Sequence, residues 1–230
     1  RDVVSRAIHD EMLREGTDSV YLDLSAHPAD WIRKRFPSIH AKCLSVGLDI
    51  TRQPIPVVPA AHYSCGGIYV DAWGNTTIEG LKAVGEVSCT GLHGANRLAS
   101  TSLLEDLVFG TRAATDVLRA RSEKNVDFPP VSPWKSGKTT CERDLLMQDW
   151  MTIKHTMWNY VGLVRTPKRL ERAARILGEL SEEIEQFYQD ATISDDLIGL
   201  RNGILAAQLV LTAARRNKSS VGCHYLEEDA

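Results

Sequence analysis

The sequence predicts an α+β region followed by an all-helical one, and three observations carry that expectation. Up to about residue 124, short strand-like runs and glycine turns alternate with helical patterns. Pro129, Pro130, Pro133, Ser136 and Gly137 then gather between 125 and 138, the composition of a linker. Beyond it, three long stretches each keep their apolar residues on one helical face, the pattern of a small antiparallel three-helix bundle.

The elements follow in order. Val4, Ala7, Ile8, Met12 and Leu13 keep helical spacing, and Tyr21-Leu22-Asp23-Leu24 alternates like a strand. Pro28, at a helix start, opens a pattern through Trp31, Ile32 and Phe36 that Pro37 ends or kinks, and residues 39–46 form another short helix closed by Gly47. Ile55-Pro56-Val57-Val58-Pro59 is too proline-dense for a central strand and reads as an extended connector delivering His62. Ile68-Tyr69-Val70-Asp71 is strand-like, Trp73-Gly74-Asn75 is a turn, and Leu81-Lys82-Ala83-Val84 is expected as a short buried strand ending at Gly85-Glu86. After the hydroxyls of Ser100, Thr101 and Ser102, one apolar stripe runs through Leu103, Leu104, Leu107, Val108, Ala114, Val117 and Leu118, a helix of several turns.

The three helices of the second half are expected at 142–164, 167–189 and 195–217. Their core faces are Leu145, Leu146, Trp150, Ile153, Met157, Tyr160 and Val161; then Leu170, Ala173, Ala174, Leu177, Leu180, Ile184 and Phe187; then Leu197, Leu200, Ile204, Ala207, Leu211 and Ala214.

With 230 residues, 43% of them hydrophobic and 25% charged, the chain can bury a sizeable core. A net charge of −3 gives no bulk attraction for nucleic acid or anionic lipid, and the apolar runs are expected to fall short of a bilayer span, so a soluble protein is predicted. Cys43, Cys65, Cys89, Cys141 and Cys223 are odd in number and widely scattered with no CxxC pair, so neither a zinc knuckle nor a disulfide framework is indicated and a reducing cytoplasm fits best. The chain opens on Arg1 rather than methionine, which suggests a piece of a longer polypeptide.

Candidate chemistry concentrates in His62-Tyr63-Ser64-Cys65-Gly66-Gly67 and in the run from Gly85 to Ser100. Glu86 at a strand end places a carboxylate where open α/β sheets bind ligands, able to accept from sugar or polyol hydroxyls; the alternative is a surface acid. Gly91, Gly94 and Ala95 leave bare backbone for a flat ring, and the amides of Ser102 and Leu103 open a helix whose N-terminus would stabilise a reduced flavin's negative charge. Arg97 offers a rigid fork for two carboxylate oxygens and His62 a further donor, a pair suited to a small dicarboxylate; the alternative is a packed loop histidine and a locally salt-bridged arginine. Spacing gives Arg1 no role, His93 reads as a structural loop residue, and Cys65 and Cys89 as packed thiols. The basic residues from Lys168 to Arg175 and from Arg215 to Lys218 read as solvated helix faces. No histidine pair at i, i+4 and no converging acids support a metal.

These motifs closely resemble the succinate dehydrogenase/fumarate reductase flavoprotein superfamily, and within it the branch that oxidises L-aspartate. The runs from Pro56 to Gly67 and from Gly85 to Glu105, with Arg1-Asp2-Val3-Val4-Ser5-Arg6-Ala7-Ile8, Trp158-Asn159-Tyr160-Val161-Gly162-Leu163-Val164-Arg165 and Arg169-Leu170-Glu171, carry the likeness, which covers essentially the whole chain. Succinate dehydrogenases share the first of these and the His-Gly-Ala-Asn-Arg loop, but usually carry Asn-Met-Gly-Gly where this chain has Ser64-Cys65-Gly66-Gly67. The resemblance implies three parts: the end of a capping domain (1–63), a C-terminal segment of an FAD-binding Rossmann-like domain (64–124), and a linker with an antiparallel three-helix C-terminal domain (125–230). It implies non-covalently bound FAD and oxidation of L-aspartate to iminoaspartate, with oxygen or fumarate as acceptor, as the first step of de novo NAD synthesis, and a possible hand-off of product to quinolinate synthase. A cytoplasmic location follows, or a plastid one if the source is a plant.

By position, the resemblance makes Arg1 the catalytic arginine that moves the proton on the substrate face opposite the flavin, a task that needs a lowered pKa or a relay. It makes His62 and Arg97 the carboxylate holders, Glu86 an FAD contact, and Ser102 with Leu103 main-chain contacts near the flavin ring. The glycine loop for the FAD pyrophosphate and the upstream substrate-binding His-Thr region have no counterpart in the chain, so weak FAD binding by these residues alone is expected. Val221-Gly222-Cys223-His224-Tyr225 stands where the family shows Ser-Arg-Gly-x-His-Tyr and receives no function. Two alternatives stand beside this reading: a succinate dehydrogenase or fumarate reductase flavoprotein subunit, which would need an iron–sulfur partner, and a non-catalytic helical interaction module.

Overall fold

A computed structural model describes residues 2–120, 129–133 and 137–227, which fall into two units, Arg1–His62 and Tyr63–Ala230. Arg1 and half of the linker expected at 125–138 lie outside the described residues.

In the first unit, α1 (Asp2–Glu15) leads into β1 (Val20–Leu22), followed by α2 (Ala29–Arg35), α3 (Pro37–Ser45) and β2 (Ile55–Val57). β1 and β2 pair antiparallel, Val20 opposite Val57, Tyr21 opposite Pro56 and Leu22 opposite Ile55. The proline-rich run is therefore a strand and not a mere connector. In a two-stranded ribbon each strand has an outer edge, so the donor that Pro56 lacks need not be missed. Pro28 and Pro37 sit at helix starts, where their fixed φ is preorganised and the missing N–H belongs to an unsatisfied first turn. Ile32 and Ile50, 0% and 2% exposed, form the core of this unit.

The second unit opens with β3 (Ile68–Tyr69) and β4 (Ser88–Cys89), paired in parallel. A larger sheet was expected here. Instead Leu81 to Val84 contribute one bridge, Lys82 to Asn75, because Gly80 and Gly85, both at φ +78°, turn the chain at each end of a four-residue segment. Glu86 consequently lies in the turn before β4 and not at a strand end. Lys82 ties this hairpin to α4 (Ser102–Ala120), its Nζ 2.6 Å from Asp116 Oδ2, and that hydrogen bond holds the Asp116 carboxyl below its ordinary pKa.

α4 departs most from expectation. Its predicted core stripe is bare, with Leu103 76%, Leu107 68% and Leu118 68% exposed, while Glu105 and Ala113 are buried. The helix packs within this unit through its polar side, onto Tyr63, Thr90, His93 and Lys82. An apolar stripe of this size is the kind of surface proteins use for association.

The helices α5 (Arg143–Val161), α6 (Pro167–Asp190) and α7 (Asp195–Arg216) follow, joined by short connections at 162–166 and 191–194. Thr166 caps α6, accepting from the Arg169 N–H with Pro167 at the first helical position, and Ser194 caps α7, accepting from the Leu197 N–H. Their shared core includes Leu146, Ile153, Leu177, Ile184, Leu200 and Ile204. By length and composition α7 would cross a membrane, with mean hydropathy 1.5 over its most apolar window, more than the sequence reading allowed. One face of it packs on α5 and α6, with Leu197, Leu200, Ile204, Ala207, Leu211 and Ala214 all buried, while Leu205, Leu209 and Val210 on the remaining surface stay exposed.

Trp150 of α5 lies across two glycines of α7. A methyl group at Gly203 would run into the indole, with Cζ3 2.8 Å away, whereas at Gly199 the nearest atom is 4.0 Å away. Gly203→Ala is therefore expected to destabilise the bundle by about 1–3 kcal/mol through overpacking. Gly199→Ala should gain up to about 1 kcal/mol from helix propensity. Urea denaturation of both variants checks the contrast, and equal effects would contradict the packing.

Candidate functional site

The site in the second unit is built on Glu105, one turn into α4 and only 2% exposed. Its carboxylate accepts from the Tyr63 hydroxyl at 3.2 Å, from His93 Nε2 at 2.7 Å and from the Thr90 hydroxyl. Burial alone would raise its pKa, but the hydrogen bonds from Thr90 and His93 outweigh it and hold the carboxyl below its ordinary value. An ionised Glu105 fixes the proton of His93 on Nε2. The other ring nitrogen, Nδ1, is buried and has no hydrogen-bond partner among the described residues.

Tyr63 links this carboxylate to Arg97. Its ring meets His93 edge-on at 5.1 Å, and the Arg97 guanidinium lies over its face, 4.4 Å from the centroid. Arg97 Nη2 also donates to Ser102 Oγ at 2.5 Å, so the fork is held between an aromatic face and the start of α4. Burial, then the charge of Glu105, pushes the Tyr63 phenol up to about 12. A raised tyrosine pKa stabilises the fold fully below the ordinary value near 10, and that contribution is lost as pH rises towards 12. Alkaline absorbance titration should therefore find one phenol ionising late, and Tyr63→Phe should abolish that phase.

Beside this network is a cavity of about 140 Å³, with Cys65, Gly66, Cys89, Gly91, His93 and Glu105 among its walls. A space of that size has room for a few water molecules. Gly66 and Gly67 adopt φ +98° and +138°, and a Cβ at Gly67 would collide with the Val87 carbonyl, so β3 approaches β4 only with glycine there. Gly91 and Gly94 are also left-handed, at +83° and +54°, but face open space. Bare backbone of that kind fits one wall of a flavin site.

Of the residues singled out in the sequence, Arg97 and Ser102 come together directly. Leu103 is the next residue of α4 and exposed. Glu86 is exposed, and its Oε1 accepts the Ser64 N–H at 2.8 Å, joining the two glycine-rich runs. His62 is exposed and closes the first unit, while Arg97 belongs to the second. Arg1 lies outside the described residues. Among the described residues no group of histidine, cysteine or acidic side chains could hold a metal. Sequence reasoning missed Tyr63, Thr90 and Glu105. A signal existed in Ser102-Leu103-Leu104-Glu105, the spacing of a capping box. In the fold neither side chain caps that way: Ser102 turns to Arg97 and Glu105 inwards.

Residues 1–103 match the model of an FAD binding domain, and residues 150–229 that of the fumarate reductase flavoprotein C-terminal region. The chain is 48% identical over 98% of its length to an L-aspartate oxidase of Yersinia pestis, and 40% identical over 99% to a chloroplastic L-aspartate oxidase of Oryza sativa. It spans 42% and 38% of those two proteins. Among solved structures, a quinol–fumarate reductase superposes with a TM-score of 0.82 at 30% identity, covering 99% of this chain and 43% of that one. An E. coli quinol fumarate reductase subunit gives 0.78 at 32%, again covering 99% of this chain and 43% of that one. Matched by both family models, and close to half identical to curated relatives along nearly all of its residues, the chain belongs to the succinate dehydrogenase/fumarate reductase flavoprotein superfamily.

Proposed function

We propose that the chain supplies the substrate-carboxylate clamp and one wall of the flavin site in an enzyme that oxidises L-aspartate to iminoaspartate. The observation that carries this is Arg97, its guanidinium over the Tyr63 ring and its Nη2 donating to Ser102 at a helix start, a geometry suited to a bidentate carboxylate. His62 would donate to the second carboxylate. FAD, non-covalently bound, would supply the two-electron acceptor, with oxygen or fumarate as the final acceptor. Around it Glu86 would accept from ribityl or ribose hydroxyls, and the amides of Ser102 and Leu103 would donate near the ring, where the α4 N-terminus favours negative charge. Arg1 would move the substrate proton on the opposite face.

In this reading residues 1–63 end a capping domain, 64–124 belong to an FAD-binding Rossmann-like domain, and 125–230 hold the linker and an antiparallel three-helix domain. The product would pass to quinolinate synthase in NAD synthesis. None of the five cysteines forms a disulfide, which suits a reducing compartment, the cytoplasm or a plastid.

Identity supports aspartate over succinate: 45–48% to bacterial L-aspartate oxidases against 30–32% to the fumarate reductases. A succinate- or fumarate-specific subunit is the second reading, favoured by those structural neighbours. In the FAD-loaded protein that contains this chain, anaerobic L-aspartate should bleach the flavin absorbance and succinate should not. Bleaching by succinate alone would overturn the first reading in favour of the second.

A further inference from the structure

The residues after α7 received no role from the sequence, yet the structure sets them against the loop that carries Arg97. Val221 and His224 form an isolated antiparallel bridge, with Val221 N–H donating to His224 O at 2.8 Å and His224 N–H to Val221 O at 3.0 Å. The tight turn between them is tipped by Gly222, at φ +55°. At its tip the Cys223 N–H donates to the Ala95 carbonyl at 2.9 Å, and Cys223 Sγ lies 3.4 Å from Asn96 Oδ1. Gly222 approaches so closely that a Cβ there would collide with that same Ala95 carbonyl and stand 2.8 Å from the Ala95 side chain. The next residues along the loop are Asn96 and Arg97.

The turn is anchored from behind. Arg165 Nη1 lies 2.6 Å from His224 Nδ1, and His224 Nε2 lies 3.0 Å from the Asn217 carbonyl. A guanidinium can only donate, so His224 accepts on Nδ1 and carries its proton on Nε2, where it donates to Asn217. Arg165 Nε donates to the Val161 carbonyl at 3.0 Å, at the end of α5. Its backbone pairs with the strand beyond the turn, Arg165 N–H to Tyr225 O at 3.0 Å and Glu227 N–H to Arg165 O at 2.8 Å. The ends of α5 and α7 thus hold the turn, and the turn holds Ala95.

We propose that the 221–224 turn is a positioning element for Arg97, fixing the backbone of Ala95 and Asn96 so that the guanidinium meets a substrate carboxylate at a set place. The proposal rests on the reading of Arg97 as a carboxylate holder. Gly222 and His224 touch no substrate in this scheme; they act through the loop.

The test uses the FAD-loaded protein that contains this chain and three variants, Gly222→Ala, His224→Leu and His224→Asn. Misplacing a clamp by a fraction of an ångström weakens binding before it slows chemistry, so Gly222→Ala and His224→Leu are expected to raise KM for L-aspartate about tenfold or more with a smaller change in kcat. His224→Asn keeps an acceptor for Arg165 and should recover most of the loss. Hydrogen exchange at residues 94–97 should quicken in the first two variants and not in the third. If Gly222→Ala fails to fold, the two His224 variants decide. Wild-type KM and wild-type exchange in both disrupting variants would overturn the proposal. Absence of aspartate turnover in the unsubstituted protein would instead overturn the functional reading, and the exchange measurement would still decide whether the turn positions the loop.

Discussion

Glu105→Ala is expected to cost the fold about 3–5 kcal/mol, because it removes one side of a buried, charged hydrogen-bond cluster. Three donors, on Tyr63, Thr90 and His93, would lose their acceptor at once in a region where the carboxylate itself is only 2% exposed. A buried donor left without a partner costs roughly 1–3 kcal/mol, so these losses are large enough to show in any denaturation experiment. Glu105→Gln keeps the shape and one acceptor oxygen and should lose less. The charge has a pH signature too. Because the folded pKa of Glu105 is depressed, its contribution is full above the unfolded carboxylate value and is lost as pH falls through the folded one. Urea unfolding at neutral pH and at successively lower pH should therefore show wild type and Glu105→Gln converging in acid. A Glu105→Ala loss below about 1 kcal/mol, the size of an ordinary exposed polar contact, would mean the cluster does not hold the loop.

Arg97→Leu is expected to lower kcat/KM for L-aspartate by about two to three orders of magnitude in the FAD-loaded protein that contains this chain, because truncating one partner of a desolvated charge pair costs roughly 2–5 kcal/mol. Leucine keeps apolar contact with the Tyr63 ring, so the fold should lose far less than the activity does. Arg97→Lys is a sharper probe. Lysine keeps the charge but cannot reproduce a planar fork lying on Tyr63 while donating to Ser102, and should recover only a small part of the lost turnover. Unchanged turnover in Arg97→Leu would remove Arg97 from the clamp and leave its stack as a purely structural contact.

The two halves of the chain differ in how much of them the sequence reveals. The face read for α7, Leu197, Leu200, Ile204, Ala207, Leu211 and Ala214, is the set that is buried, because a bundle helix buries one stripe along its whole length and periodicity reports that stripe. The same rule misleads for α4. Its stripe is as regular, but within this unit the helix packs through Glu105 and Ala113, and Leu103, Leu104 and Leu107 stay exposed. Periodicity shows that a face is apolar and says nothing of what it meets. Pro56 misleads in the opposite way, since a proline looks unsuited to a strand until the strand is seen to have a free edge.

For the candidate site, the glycine-rich runs and Arg97 were legible because their chemistry is local: left-handed turns need glycine, and a fork-shaped cation is conspicuous. Tyr63 and Glu105 were not, because they are 42 positions apart and nothing in a linear pattern records a hydrogen bond closed over that distance. The same holds for Cys223 and Asn96, 127 positions apart. By itself the sequence determined which segments are helices, the buried faces of α6 and α7, and where the backbone must turn left-handed, since each depends on neighbours within a few residues; in α5 it misplaced Leu145, which is 45% exposed while Thr156 is buried, and it expected Pro37 to end a helix that it in fact starts. Only the tertiary structure decided that Glu86 sits in a turn, that α4 leaves its apolar stripe open, that Arg97 rests on Tyr63, and that the last turn leans on Ala95. Those outcomes depend on which distant surfaces close over one another, a choice made by burial and hydrogen bonding in three dimensions.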